Sequence, residues 1–354
     1  MNHIISKTIS TMIDGGMKLL GVTGRGVRIL CYHRVNYHEK RYTTVSVDNF
    51  RDQMRYLAEH GYRTVSLSDL VDQAEDKRLQ CGGTQDNRQQ TTDDRHKKGL
   101  WSLVCGLWSS GGSKQEAEGS LRRGDKGQET RGKGQKTRDE GQGARDTVNA
   151  EGHNPCPMSR APFPAPISRD DQKLIVITFD DGYRDNYVNA FPIMKEFGLK
   201  GCVFCVSDEI GKESFLRLEE IHEMADAGFE FGSHTMSHPE LVHLDEKSKW
   251  LEISESKKRL EEMLGIPIPY FCYPKGFWDE EGVDMVATAG YAAACSNRPG
   301  SNDWRHLLRR NSNDIYLLRR TEISGFDDLG DFRRKLNGAY DLLHSILHFV
   351  RGRP

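Results

Sequence analysis

From residue 174 onward the chain alternates short apolar runs with helix-forming segments. The runs are Leu174–Phe179, Cys202–Val206, Phe229–Gly232, Tyr270–Tyr273, Ala292–Cys295 and Leu317–Ile323. Helical spacing is clearest over 246–264, where Trp250, Ile253, Leu260 and Leu264 share one face and Glu and Lys fill the other. Strands that alternate with helices need crossovers and therefore run parallel. Residues 27–80 extend the pattern: Val27–Tyr32 reads as a buried strand, Asp48 as the cap of a helix bearing Phe50, Met54, Leu57 and Ala58, Gly61 as its stop, Thr64–Leu67 as a strand, and Ser68 as a further cap. The fold class expected is α/β, a distorted (β/α) barrel of about seven to eight parallel strands with its chemistry at their carboxyl ends.

The alternation breaks between residues 82 and 172. Segments such as Arg122-Arg123-Gly124-Asp125-Lys126-Gly127-Gln128-Glu129 carry charge and glycine without an apolar period, and Pro155, Pro157, Pro162, Pro164 and Pro166 follow. This stretch explains the low hydrophobic content of 36%. Its composition cannot offset chain entropy by burial, so it is expected to be a disordered insert. Trp101–Trp108 is an apolar island within it. The expected organisation is an amphipathic helix over 1–24, a first domain segment over 25–81, the insert, and a second domain segment over 173–345. Ile4, Ile5, Ile9, Met12, Ile13, Leu19 and Leu20 give the first helix an apolar face that either packs on the domain or rests on a membrane surface.

Fifty Lys+Arg against 52 Asp+Glu give no electrostatic case for nucleic acid. The eight cysteines lack a disulfide-framework spacing, which favours a reducing compartment. Cys202 and Cys205, placed on a strand, face opposite sides and are read as core thiols. No apolar run approaches a membrane span, and residues 1–24 lack a signal-peptide apolar region. The expectation is a cytoplasmic protein, with contact at the inner membrane face under the second reading of the helix.

The chemistry concentrates in two motifs. Thr178-Phe179-Asp180-Asp181-Gly182-Tyr183 ends the apolar run that starts at Leu174, and Ser233-His234-Thr235-Met236-Ser237-His238 follows another such run. Adjacent carboxylates repel unless a cation or proton offsets them. At a strand-to-loop break both can turn toward one cavity, one to ligate a metal and one to act as base. His234 and His238, four apart, would share an ion from one helical turn. An aspartate with two histidines suits zinc first among divalent metals. A second His-x-x-x-His, at His344 and His348, has no carboxylate-bearing strand end beside it and is read as part of an amphipathic helix.

These motifs, with Tyr270-Phe271-Cys272-Tyr273-Pro274-Lys275-Gly276 and Leu30-Cys31-Tyr32-His33, resemble the polysaccharide deacetylase family, metal-dependent carbohydrate esterases, in its permuted branch. The likeness covers about 27–80 and 173–340. It implies Asp181, His234 and His238 as metal ligands, Asp180 as general base and His33 as general acid. It implies that Tyr273, Pro274, Lys275 and Gly276 line a sugar groove, and Tyr183 is placed to stack on a sugar. The expected reaction removes N-acetyl groups from amino sugars of a polysaccharide, oligosaccharide or lipid-linked glycan. The alternatives are a silent sugar-binding component of an exopolysaccharide system and a hydrolase of non-sugar amides or O-acetyl esters. Many family members carry an arginine that orients the base where this chain has Cys272, so that pairing is expected to be missing here.

Overall fold

The computed structural model describes residues 7–8, 10–15, 26–37, 41–73, 173–303, 307 and 313–341. The elements that build the site are β1 (Arg28–Tyr32), β2 (Arg34–Asn36), β3 (Thr44–Ser46), α1 (Val47–Glu59), β4 (Arg63–Thr64), β5 (Leu174–Phe179), α2 (Phe191–Glu196), β6 (Cys202–Cys205), α3 (Leu218–Asp226), β7 (Glu230–Ser233), α4 (Glu246–Leu264), β8 (Tyr270–Cys272), α5 (Glu280–Thr288), β9 (Ala293–Cys295), β10 (Thr321–Glu322) and α6 (Leu329–Leu336). The sheet runs β10–β1–β5–β6–β7–β8–β9, with β4 paired to the start of β5. Every named pairing in it is parallel. The two ends of this path meet at Leu318, which exchanges backbone bonds with Ala294 and Ser296 just before β10 pairs with β1. The result is the distorted parallel barrel expected from the strand–helix alternation.

Period-2 alternation divides the strands between two cores. Ile29, Val176, Cys202, Phe204, Tyr270, Cys272, Ala293, Cys295 and Leu318 share one cluster inside the curl. Leu30, Ile177, Val203, Phe231, Phe271 and Tyr273 belong to the other, against Phe50, Met54 and Leu57 of α1 and Ile253 and Leu260 of α4. The inside is tight: a Cβ on Gly232 would stand 2.5 Å from the Phe204 ring. Continued past the strand ends, the same parity puts residues 33, 180, 234 and 320 on the inner side.

Local starts differ from some sequence expectations. The cap of α1 is Ser46, which accepts from the Asn49 amide, and Asp48 lies inside the first turn. The helix over 67–73 is capped by Ser66, which exchanges bonds with Asp69, because Ser68 is bound instead to Glu230. The strand expected at Thr64–Leu67 is shorter, Arg63–Thr64. α4 spans the predicted range, from an Asp245 cap to Gly265 in the left-handed region. Residues 7–8 and 10–15 are helical and meet α6 through Lys7 to Asp328 and Asp14 to Asn337, while Met12 is exposed. No described helix is long and apolar enough to cross a membrane. The expected insert with its Trp101–Trp108 island, and His344 and His348, lie outside the described residues.

Candidate active site

Asp180 is the first residue beyond β5, its amide bonded to the carbonyl of Tyr32. Asp181 and Gly182 then take left-handed φ values of 73° and 72°. That conformation is costly at Asp181 and turns the second carboxylate away from the strand alternation. Across the barrel mouth, His234 Nε2 lies 3.6 Å and His238 Nε2 3.4 Å from Asp181 Oδ1. The two histidines converge without the expected helical turn. Thr235 and His238 are both left-handed, at φ 68° and 62°, and Thr235 Oγ1 accepts from the His238 amide at 3.0 Å.

This donor set fits a divalent metal. One ligand atom from each of Asp181, His234 and His238 lies within 4.8 Å of the others. His234 Nδ1 lies 2.8 Å from the Cys272 carbonyl; donating there leaves Nε2 free as a ligand. Burial, against the pull of Asp180 and Asp181, lowers the His234 pKa and keeps the ring neutral, as a ligand must be.

The loop between the histidines is held from α4. Glu252 accepts from the amides of Met236 and Ser237 at 2.8 and 3.0 Å and from Ser237 Oγ at 2.7 Å. Glu252→Gln is expected to weaken divalent-metal binding by about tenfold, the scale for partners that orient ligands. Competition against a chromophoric chelator measures this, and unchanged affinity would remove Glu252 from the metal loop's support.

Asp180 is 2% exposed and meets the guanidinium of Arg320. Arg320 donates from Nη1 to Asp180 Oδ1 at 2.7 Å and from Nη2 to Oδ2 at 2.8 Å. The same Nη2 lies 3.1 Å from Cys272 Sγ and donates to Asn297 Oδ1 at 2.8 Å. The expected loss of a base-orienting arginine is therefore corrected: Cys272 leaves room, and Arg320 enters from the strand on the far side of β9. Arg319, its neighbour, is exposed. Burial pushes the Asp180 pKa up, but the charge and bonds of Arg320 outweigh it and hold the carboxyl well below its usual range.

His33 follows β1 with its Nε2 4.0 Å from Asp180 Oδ2. Its Nδ1 is buried and has no hydrogen-bond partner among the described residues. Its carbonyl accepts from Asn186 at 2.7 Å. Tyr183 is half-buried, with Phe215 stacked at 5.1 Å and the Arg34 guanidinium 4.1 Å from its ring centre. A ring packed in this way offers its hydroxyl to the site rather than an open face. Tyr273 is fully buried in the helix-side core beside Phe271. Pro274 is buried, Lys275 is exposed and paired with Glu240 at 2.5 Å, and Gly276 combines a φ of 73° with a site where a Cβ would sit 2.3 Å from Asn297. Phe277, half-exposed on the same loop, had no signal in the sequence reading.

A parallel barrel carrying carboxylates and imidazoles at the carboxyl ends of its strands has the architecture of an α/β-barrel enzyme. Residues 168–294 match the profile of the polysaccharide deacetylase family, so this part of the chain carries a domain of that family. It is 32% identical over 156 residues to the polysaccharide deacetylase homologue YxkH of Bacillus subtilis (strain 168), covering 44% of this chain and 53% of that protein. It is 27% identical over 163 residues to a poly-beta-1,6-N-acetyl-D-glucosamine N-deacetylase of Staphylococcus aureus (strain MRSA252), covering 42% and 54% respectively. The chain thus spans about half the length of these curated relatives. Among solved structures, the Streptococcus pyogenes deacetylase PplD in complex with acetate aligns with a TM-score of 0.56 at 16% identity, over 89% of this chain and 99% of that one. IcaB from Ammonifex degensii aligns at 0.52 and 18%, over 90% and 98%. Both share the fold.

Proposed function

We propose that this chain is a divalent-metal-dependent hydrolase that removes N-acetyl groups from amino sugars of a polysaccharide, oligosaccharide or lipid-linked glycan. One observation carries the reading: donor atoms of Asp181, His234 and His238 lie within 4.8 Å of one another while both oxygens of the adjacent Asp180 accept from Arg320. A metal bound by Asp181, His234 and His238, zinc by donor chemistry, would polarise the acetyl carbonyl and lower the pKa of water there. Asp180, ionised and oriented by two bonds from Arg320, takes the proton from the attacking water. His33, on the same face, delivers a proton from Nε2 to the departing amine nitrogen. The loop from Pro274 to Phe277 and the Tyr183 hydroxyl border this centre and would position the sugar. Arg320 supports catalysis over the silent-binding alternative, because it supplies the base-orienting guanidinium whose absence at Cys272 was one ground for that alternative. The similarity to enzymes named for poly-beta-1,6-N-acetyl-D-glucosamine supports a glycan substrate. A cytoplasmic location, either free or peripheral at the inner membrane face, is part of the same proposal and is checked by cell fractionation.

The test is acetate release from N-acetylglucosamine oligomers, with metal content measured on the same preparation. Turnover lost on chelation and restored by zinc is the expected result. Metal-replete protein without turnover on any acetylated glycan, or turnover indifferent to chelation, would overturn the reading.

A further inference from the structure

Beside the proposed metal set lies a second group of donors that shares none of its residues. Cys31 Sγ is 3.5 Å and His33 Nε2 4.0 Å from Asp180 Oδ2, and the three donors lie within 4.8 Å of one another. A tetrahedral ion bonds sulfur at about 2.3 Å and nitrogen or oxygen at about 2.0 Å, which sets its donors roughly 3.3–3.5 Å apart. The spacings around Asp180 approach that, as do the 3.4 and 3.6 Å around Asp181. We infer that Cys31, His33 and Asp180 form a second, inhibitory site for a thiophilic divalent cation such as zinc or cadmium.

Chemistry selects the ion. A thiolate, an imidazole and a carboxylate suit zinc and cadmium and disfavour magnesium or manganese. Binding replaces the Cys31 thiol proton, which leaves to solvent, with the cation on the same line toward Oδ2. Arg320 remains on the carboxylate through Oδ1 and the other side of Oδ2. Entry is from the His33 side, where the ring keeps 16% exposure while Cys31 is fully enclosed. A competing group, Asp180, His234 and Cys272, is equally compact, but its donors are engaged. His234 Nδ1 meets the Cys272 carbonyl, its Nε2 faces Asp181, and Cys272 Sγ faces Arg320. An ion on Cys31, His33 and Asp180 would occupy the proton acceptor and the proton donor of the proposed reaction together. The inhibitory consequence rests on the deacetylase reading; the binding does not.

Cadmium titration of the full chain tests the site, followed by equilibrium dialysis and the thiolate-to-cadmium charge-transfer absorbance. Cys31→Ser is expected to bind one equivalent fewer than the wild type, whereas Asp181→Asn and Cys272→Ser keep that equivalent. Cys31→Ala replaces Cys31→Ser if the latter melts early. In acetate release, zinc beyond the activating equivalent should inhibit the wild type, and Cys31→Ser should need about tenfold or more zinc for the same inhibition. Equal cadmium binding by wild type and Cys31→Ser overturns the site, as does thiolate-to-cadmium absorbance that persists in Cys31→Ser or is lost with Cys272→Ser instead. A wild type that never releases acetate would sink the deacetylase reading while the cadmium counts still decide the site.

Discussion

Asp180→Asn is expected to cut acetate release by about 10²–10⁴-fold, the usual contribution of a positioned proton-transfer group. The substitution keeps shape and volume and removes the charge that accepts the proton. The activating metal set does not include Asp180, so the activating equivalent should stay at the wild-type level. One of the two Arg320 bonds survives on the remaining amide oxygen, while the new NH₂ group faces the other guanidinium nitrogen. Some stability is therefore lost, and the variant's melt must be measured alongside its rate. His238→Ala supplies the contrast, because it removes a donor and should lose metal and turnover together. Near-wild-type turnover by metal-loaded Asp180→Asn would show that the proton goes elsewhere. Loss of the activating equivalent in Asp180→Asn, with turnover recovered at high zinc, would make Asp180 a ligand of the activating metal instead of a base.

Much of the site was legible because strand parity is rigid. Once Leu174–Phe179 is a strand, residue 180 must continue the inner row of Val176 and Thr178. The same rule places His33 inward, two residues beyond Cys31. Applied to Tyr270–Cys272, it puts Cys272 inside and Tyr273 outside, against the helices. Motif similarity alone placed Tyr273 at the groove. The turns were harder to read. Left-handed φ at Asp181, Thr235, His238 and Lys275 belongs to residues that sequence gives no reason to expect there. The loop between His234 and His238 is held by Glu252, a contact across 16 positions for Met236 that no local pattern announces. Arg320 was the largest gap. It stands next to an exposed arginine, and only the two-residue strand β10, paired to β1, decides which of the pair turns inward.

Arg320→Met is expected to lower stability by about 3–5 kcal/mol near neutral pH, because a buried charge left without its partner costs that much. Both partners are enclosed, with side-chain exposures of 1% and 3%, so solvent does not screen the loss. The pH dependence separates this cause from a packing defect. In the wild type the folded-state pKa of Asp180 is depressed. Its contribution to stability is therefore present above the unfolded value of about 3.9 and lost as pH falls toward the folded one. In Arg320→Met burial dominates and raises the folded pKa. The variant is then most stable with Asp180 protonated, below the unfolded value, and loses stability as pH rises through the raised one. The gap between the two proteins should thus be widest at neutral pH and narrow on acidification through about pH 4. Urea unfolding at several pH values measures it, with constant m-values as the check that one transition is compared. Asp180→Asn combined with Arg320→Met should flatten the pH dependence, since no carboxylate remains to be stranded. A gap that stays constant from pH 7 to pH 4 would mean that Arg320 acts through its volume, leaving Asp180 to be held ionised by something other than the guanidinium.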